Sequence, residues 1–467
     1  MATDKNKMQT ELDFIGSSND SPIVVEKQGL MDKDDSDEYP FEGSPVRSVG
    51  RRNSDLKMGQ DESGGIGTMR TVFLIFRSLV GIGVLAFPLA TQMFGIASTI
   101  IFLPLFSIII LYVLDLVFLI ANDLKFTGSN IDDLIVASGN EKWVRIFSMI
   151  NNWMNLSSAI ANCIFAGMFL DWASCNYGVT TFCNNRITSN LLGICLSLPL
   201  TLFPKMKYFA IPSMIAACLF LITIFSILGW FGHRISKNGK STTTKFFDLS
   251  GLGTFFGVAC FAIEGIGLIF PIRNSMRRQK DFRIVFHLTS FGVILMYLIF
   301  GVFGAYALGN KLPEIVLFYF NKNNLVFYYL GFAYSIGIFI SFPFFMIPIT
   351  HSLMESYFAR RLLGPDAGKE ECMNALVRAL ICVMCFLLAM TGINILSFIS
   401  VAGSILNSIT AFLFPILFYL NYFGSKGEIT PTKKYFLLFT AALTTALSAL
   451  CLFETFLPMF TGGNSKI

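Results

Sequence analysis

Apolar runs recur along residues 70–457, each bounded by a short cluster of polar and charged positions. A bilayer core about 30 Å thick needs roughly 20 apolar residues per crossing helix. By that measure the pattern predicts eleven spans, at about 70–93, 95–121, 144–171, 190–204, 208–231, 251–272, 283–308, 326–358, 376–391, 393–422 and 434–457. The fourth and ninth runs are short, and the eighth is long enough to tilt or run past the interface. An odd count predicts termini on opposite sides. No apolar run precedes the first span, so no cleavable leader is expected. Residues 1–68 mix Asp, Ser, Gly and Lys with few large apolar side chains. Such a segment buries too little surface to offset its chain entropy, which predicts a disordered cytosolic tail. A membrane region over 69–458 and a short C-terminal tail over 459–467 complete the division.

Composition agrees with this reading: 54% of the 467 residues are apolar and 14% are charged, against about a quarter charged in soluble domains. Residues 1–70 carry 14 acids against 9 bases, whereas the remainder carries 26 bases against 16 acids. Those bases concentrate in loops on the N-terminal side, among them Arg273, Arg277, Arg278, Lys280 and Arg283. The bias predicts a cytosolic N-terminus and gives no reason to invoke nucleic acid. Cys175 and Cys183 then face the oxidising side eight residues apart, where they are either bridged or free. His233, His287 and His351 stand far apart, and Cys382-Val-Met-Cys385 lies inside an apolar run as packed small side chains. Neither pattern suggests a metal, a cofactor or an enzyme. In the tail, Arg51-Arg52-Asn53-Ser54 fits a basic-directed phosphosite, and Glu26 to Leu30-Met31 faintly fits an acidic dileucine signal.

The first and sixth spans carry the most informative pattern. The first reads Val80-Gly81-Ile82-Gly83-Val84-Leu85-Ala86-Phe87-Pro88, and the sixth reads Glu264-Gly265-Ile266-Gly267-Leu268-Ile269-Phe270-Pro271. Each glycine costs a helix about 1 kcal/mol, and the proline that follows weakens the hydrogen-bond ladder further. One such copy serves close helix packing. Two copies five spans apart enter the membrane from opposite sides, as an inverted repeat with paired discontinuous helices requires. Unwinding at Gly81–Gly83 releases N–H groups at the start of a half-helix, which suit a carboxylate. Unwinding at Glu264–Gly267 frees carbonyls for an ammonium group. A zwitterion such as an amino acid fits both ends. Glu264 lies near mid-membrane, where a charge costs about 3 kcal/mol or more unless paired or protonated. It is therefore the candidate proton carrier, or else an ion-pair partner for Arg77. Arg77, about one turn before Gly81, is otherwise a snorkelling anchor.

At these residues the chain resembles the amino acid/auxin permease family of the amino acid–polyamine–organocation superfamily, and within it the proton-coupled and vacuolar-type amino acid transporters. The family's opening pattern is matched by Arg77, Gly81, Gly83, Leu85, Pro88, Ala90 and Gly95. Its sixth-span pattern is matched by Phe261, Ala262, Glu264, Gly265, Pro271, Asn274, Met276 and Phe282, with Arg273 where the family has Glu. Val401 to Ser408 with Phe414-Pro415, and Ser341-Phe342-Pro343 with Pro348, resemble the tenth and eighth spans. The resemblance implies eleven spans in a five-plus-five inverted repeat with one extra C-terminal helix. Spans one, two, six and seven would rock against spans three, four, eight and nine. It places the substrate carboxylate at the backbone of Val80, Gly81, Ile82 and Gly83. The amine then lies at Phe261, Ala262, Glu264, Gly265, Ile266 and Gly267, with Phe261 as an aromatic gate.

Together these readings predict secondary active, proton-coupled transport of small neutral amino acids by alternating access, at a plasma, vacuolar or endolysosomal membrane. Asn155, Ser158 and Asn162 share one face of the third span and either meet substrate or join helices. Sodium coupling is the alternative ion, through first-break carbonyls and the Ser335 or Ser341 hydroxyl, although such hydroxyls commonly bond their own helix. A transport-inactive amino acid sensor signalling through the tail is the alternative class.

Overall fold

The computed structural model describes residues 66–126, 128, 131–179, 183–202, 210–263, 267, 269–320, 324–354 and 367–460. The expected disordered tail with its two short motifs, and the residues Glu264, Gly265 and Ile266, lie outside the described residues. The described chain is all helical. Its α-helices are α1 (Thr68–Leu79), α2 (Ile82–Phe94), α3 (Ile96–Asp123), α4 (Ile131–Ala137), α5 (Glu141–Tyr177), α6 (Arg186–Thr201), α7 (Ala210–Asn238), α8 (Leu252–Ile263), α9 (Ile269–Ser275), α10 (Phe282–Leu308), α11 (Leu325–Met354), α12 (Ala367–Ala389), α13 (Ile395–Ala402), α14 (Phe414–Ser425) and α15 (Pro431–Phe460).

Every predicted apolar run falls on one of these helices or on a pair. Among the described residues, eight helices are long and apolar enough to cross a membrane, or nine when the bent pair α1–α2 counts as one span. α6, with 16 residues, and α8, with 12, fall short of a full crossing. The protein is thus a multi-pass, all-α membrane protein, with eight or nine candidate spans among its described residues by length and composition.

Local chemistry sets the boundaries that differ from expectation. α5 runs on to Tyr177 and stops where Gly178 turns left-handed, at φ 74°. α6 starts early because the Asn185 side chain accepts from the Thr188 N–H at 3.3 Å. α4 was not foreseen; it lies in a polar loop with Asp132 and Asp133 in its first turn, where carboxylates favour the positive end of a helix. Between α13 and α14 the chain continues through two π-helical stretches, Gly403–Asn407 and Ile409–Leu413. Cys175 and Cys183 form a disulfide.

Two packing groups emerge. α2 packs on α8 and α10, while α5, α6, α11 and α12 pack on one another. Aromatic rings fill the first group: Phe87 meets Tyr297 at 5.2 Å and Phe255 at 5.5 Å, and Phe255 stacks on Phe94 at 4.7 Å. α8 lies backbone to backbone against the tenth predicted span. A Cβ on Gly257 would run into the Ser400 carbonyl, and one on Gly403 into the Gly257 carbonyl. Small residues permit such an approach between membrane helices, where dispersion and weak Cα–H···O contacts replace hydrophobic drive. Near the chain's first described residue, Ile66 bridges main chain to main chain with the segment after α9, through Ser275 and Arg277.

Candidate functional site

The first span breaks where its glycines predict. α1 ends at Leu79, α2 starts at Ile82, and the axis bends by 53° between them. Val80 is extended, at φ −117° and ψ 117°, and Gly81 lies at φ −149° and ψ −141°. A break inside a membrane strips main-chain groups of their helical partners, and each must find another. Three successive carbonyls do. The Leu79 carbonyl accepts from the Tyr297 hydroxyl at 3.1 Å, the Val80 carbonyl from Arg77 Nη1 at 3.1 Å, and the Gly81 carbonyl from the Tyr334 hydroxyl at 2.8 Å. The N–H groups of the first turn of α2 are treated differently. A helix start has no internal acceptors for them, and among the described residues no side chain caps α2. No described atom lies within 4 Å of where a Gly81 Cβ would stand. Uncapped donors, a half-helix dipole and open space therefore coincide at Gly81.

On the sixth predicted span α8 is described as far as Ile263, Gly267 lies in a 3-10 turn rather than an α-helix, and α9 is described from Ile269. The end of α8 lies against the first break. A Cβ on Gly83 would stand 3.0 Å from the Ala262 Cβ, and the Tyr297 hydroxyl is 3.5 Å from the Ala262 carbonyl as well as bonded to Leu79. Tyr297, on α10, thus touches both the end of α1 and the last described turn of α8. Val80, Ile82, Gly83 and Ala262 are buried, whereas Gly81, Phe261 and Gly267 are half-buried. Phe261 packs at the π-helical segment, with its Cβ 2.9 Å from where a Gly403 Cβ would stand.

Other predicted residues take more local roles. Asn162 donates to the Ser158 carbonyl at 2.7 Å, and Asn155 to the Asn151 carbonyl at 2.8 Å, both within α5. Ser335 and Ser341 likewise donate to Gly331 and Gly337, one turn back on α11. Arg77 does not reach back toward the start of α1. Its guanidinium turns forward to the Val80 carbonyl and lies 4.9 Å from the Phe220 ring, which also stacks with Tyr334 at 4.1 Å. That corrects the snorkelling expectation, and the cause is the carbonyl that the break sets free.

Three participants escaped sequence reasoning. Tyr297 and Tyr334 look like ordinary aromatic core in apolar helices, and their carbonyl partners lie 218 and 253 residues away. Asn151 extends the polar face of α5 by one turn. Its Oδ1 is buried without a partner among the described residues, 3.3 Å from where a Gly267 Cβ would stand. It therefore offers an acceptor beside the second break.

Two carboxylates brace the ends of the helices that frame the site. Glu454 of α15 accepts from the N–H groups of Gly253 and Thr254 at 3.0 and 2.8 Å and from the Thr254 hydroxyl at 3.1 Å. It caps α8 from another helix, and its charge complements the positive end. Glu314 does the same for α13, accepting from the Ile395 N–H at 3.2 Å and the Asn394 amide at 2.7 Å. Burial raises the Glu314 pKa, and the Ile395 bond and the Arg186 charge oppose that shift without cancelling it. No cluster of metal-ligand type exists among the described residues.

The sequence profile named "Transmembrane amino acid transporter protein" matches residues 64–460. The chain is similar to vacuolar amino acid transporter 4 of Saccharomyces cerevisiae, at 23% identity over 93% of this chain and 62% of that protein. It is also similar to vacuolar amino acid transporter 3 of Schizosaccharomyces pombe, at 23% identity over 72% of this chain and 50% of that protein. Vacuolar amino acid transporter 3 of S. cerevisiae shares 26% identity over 45% of this chain and 31% of its own length. The chain therefore spans between about a third and two thirds of these relatives. A first membrane span broken at its glycines inside a helical membrane domain, and a profile that covers that domain from end to end, lead to one assignment: the chain belongs to the transmembrane amino acid transporter protein family.

Proposed function

We propose that the protein is a secondary active transporter of small neutral amino acids, driven by protons and working by alternating access in a vacuolar or endolysosomal membrane. One observation carries the reading: the α1–α2 break and the last described turn of α8 meet at Tyr297, and among the described residues no side chain caps α2 and no atom lies within 4 Å of where a Gly81 Cβ would stand. A substrate carboxylate binds the N–H groups around Val80, Gly81, Ile82 and Gly83, where the start of α2 supplies positive potential. The ammonium group takes acceptors from the stretch Phe261, Ala262, Glu264, Gly265, Ile266 and Gly267, aided by the side-chain Oδ1 of Asn151, which has no partner among the described residues. Asn162 lines the approach from α5. The eleven-span inverted repeat, the cytosolic N-terminus and a tail over 1–68 belong to the same proposal. The names of the fungal relatives support the vacuolar location.

Glu264 is the proposed proton carrier. Reconstitution in proteoliposomes with labelled alanine, glycine or leucine, with and without an imposed pH gradient, tests the whole reading. Gradient-driven accumulation is expected in the wild-type protein, and exchange without accumulation in Glu264→Gln. Accumulation that tracks a sodium gradient at constant pH would replace the proton by sodium. Flux of none of the amino acids would remove the transport reading.

A further inference from the structure

A basic cleft opens where α3, the segment after α9 and the start of α10 come together. It has a volume of about 460 Å³ and is lined by Asn122, Arg273, Gln279, Lys280 and Arg283 with Phe118 and Phe282 at its base. Arg283 also lines a neighbouring groove of about 560 Å³, whose wall is formed by Ile284 and Leu288. Both of those side chains are 71% exposed on an apolar helix, facing where lipid would lie.

Two of the acids close to this cleft are already engaged, while Asp281 lies exposed between Lys280 and Phe282. Asp115 holds Arg283 through two bonds of 3.0 and 2.7 Å, with His287 at 3.3 Å. Asp123 accepts from Lys426 at 2.5 Å and from Tyr422 at 2.7 Å. Of the bases that line the cleft, Arg273 and Lys280 are held by neither Asp115 nor Asp123. Arg273 Nη1 is buried and has no hydrogen-bond partner among the described residues. A buried guanidinium N–H without an acceptor is costly, and an anionic oxygen is its natural complement. The cleft also sits at the right depth. Asn122 lies one residue from the end of the candidate span Ile96–Asp123, and Gln279 and Lys280 open the candidate span Gln279–Lys311. Basic pockets between helices at that level take lipid headgroups.

We propose that this cleft is a binding site for an anionic phospholipid whose headgroup bears phosphomonoester groups, of the phosphoinositide type. The headgroup phosphates meet Arg273, Lys280 and the outer edge of Arg283, and an acyl chain lies along Ile284 and Leu288. A single diester charge leaves the cleft under-neutralised, which is why a multiply charged headgroup is preferred. Because the segment after α9 continues from the sixth predicted span, lipid bound there would bias the position of that helix and so link membrane composition to transport.

The test uses the full-length protein in detergent micelles, titrated with dioctanoyl phosphatidylinositol bisphosphate while thermal unfolding is followed. Dioctanoyl phosphatidylserine and the soluble inositol phosphate headgroup are run in parallel. The expected result is saturable stabilisation by the phosphoinositide at lower concentration than by either comparator. The apparent affinity should fall roughly fivefold for Arg273→Gln or Lys280→Gln and about twentyfold for both together. Lys434→Gln, a basic residue outside the cleft, should leave it unchanged. Arg273→Lys should retain most of the binding, and lipid-free melting of each variant reports its folding separately. Equal binding by the double variant and the wild type would overturn the proposal, as would equal stabilisation by phosphatidylserine. Binding of the soluble headgroup as tightly as the lipid would identify an anion site instead and also overturn it.

Discussion

Two alanine substitutions at neighbouring glycines should give opposite phenotypes. At Gly83 the new methyl would stand 3.0 Å from the Ala262 Cβ and 3.2 Å from its Cα. Carbon atoms pack best at about 3.5–4.0 Å, so the end of α8 must retreat from α2 by several tenths of an ångström. Overpacking of this kind costs about 1–3 kcal/mol, and the helix propensity gained on replacing glycine returns at most about 1 kcal/mol. Gly83→Ala should therefore be less stable by about 1–2 kcal/mol. At Gly81 no described atom lies within 4 Å of the new methyl, and a φ of −149° suits any residue. Gly81→Ala should fold as well as the wild type, or slightly better through a stiffer unfolded chain, by about 0.4–1 kcal/mol. Its methyl nevertheless enters the space assigned to the substrate carboxylate. Loss of one charge-assisted hydrogen bond, worth about 1.5–3 kcal/mol, corresponds to a rise in KM of roughly 10- to 100-fold. Thermal unfolding of the purified variants and concentration-dependent uptake into proteoliposomes separate the two effects. A Gly81→Ala protein with wild-type KM would refute the placement of substrate at the first break.

Removing the Tyr297 hydroxyl should loosen the contact between the first break and α8. Tyr297→Phe keeps the ring contact with Phe87 but leaves the Leu79 carbonyl without its donor, at about 1–3 kcal/mol, and uptake should slow while surface charge and fold are unchanged. Glu454→Ala deprives α8 of its cap and should destabilise by about 1–2 kcal/mol; Glu454→Gln, which keeps one acceptor, should lose less, as read by thermal unfolding. For Glu314, burial raises the folded-state pKa, so between the unfolded and folded values the folded chain holds a proton that the unfolded chain releases. Stability contributed by that proton is present at acid pH and is lost as pH rises through the raised value. The melting temperature of the wild type relative to Glu314→Gln should therefore fall from about pH 4 toward pH 7, and a pH-independent difference would contradict the assignment. Asp248 behaves in the opposite sense: hydrogen bonds from Lys245 and Ser250 hold its pKa near about 2. Its loop, which meets α3 through Ile96 and Ala97, should show unchanged hydrogen exchange down to about pH 4.

Much of this architecture is written locally in the chain. Gly81, Gly83 and Pro88 lie within one short segment, so a reader of the sequence meets the first break and its cause together. The apolar runs likewise mark the helices, because the membrane allows few other structures for them. What could not be read depends on pairs that only folding brings together. The hydroxyls of Tyr297 and Tyr334 act on carbonyls of the first span, and nothing in an apolar helix announces that a tyrosine will be used for its oxygen. Glu454 reads as an acid at a helix end within reach of water, yet it caps a helix 200 residues earlier in sequence. Arg77 reads as an anchor for the interface, and the carbonyl that redirects it exists only because the helix stops three residues later. The π-helical turns at Gly403 and Ile409 have no periodic signature at all; the first lies where Gly257 of α8 packs against Ser400 and Gly403.

The most direct test is uptake of labelled alanine by the full-length protein in proteoliposomes under an imposed pH gradient, with Gly81→Ala as its partner. The account predicts saturable accumulation by the wild type that collapses with the gradient, and a strongly raised KM in a normally folded Gly81→Ala protein. Saturable uptake that is identical in the two proteins would contradict it, because the breaks would then not be where substrate binds.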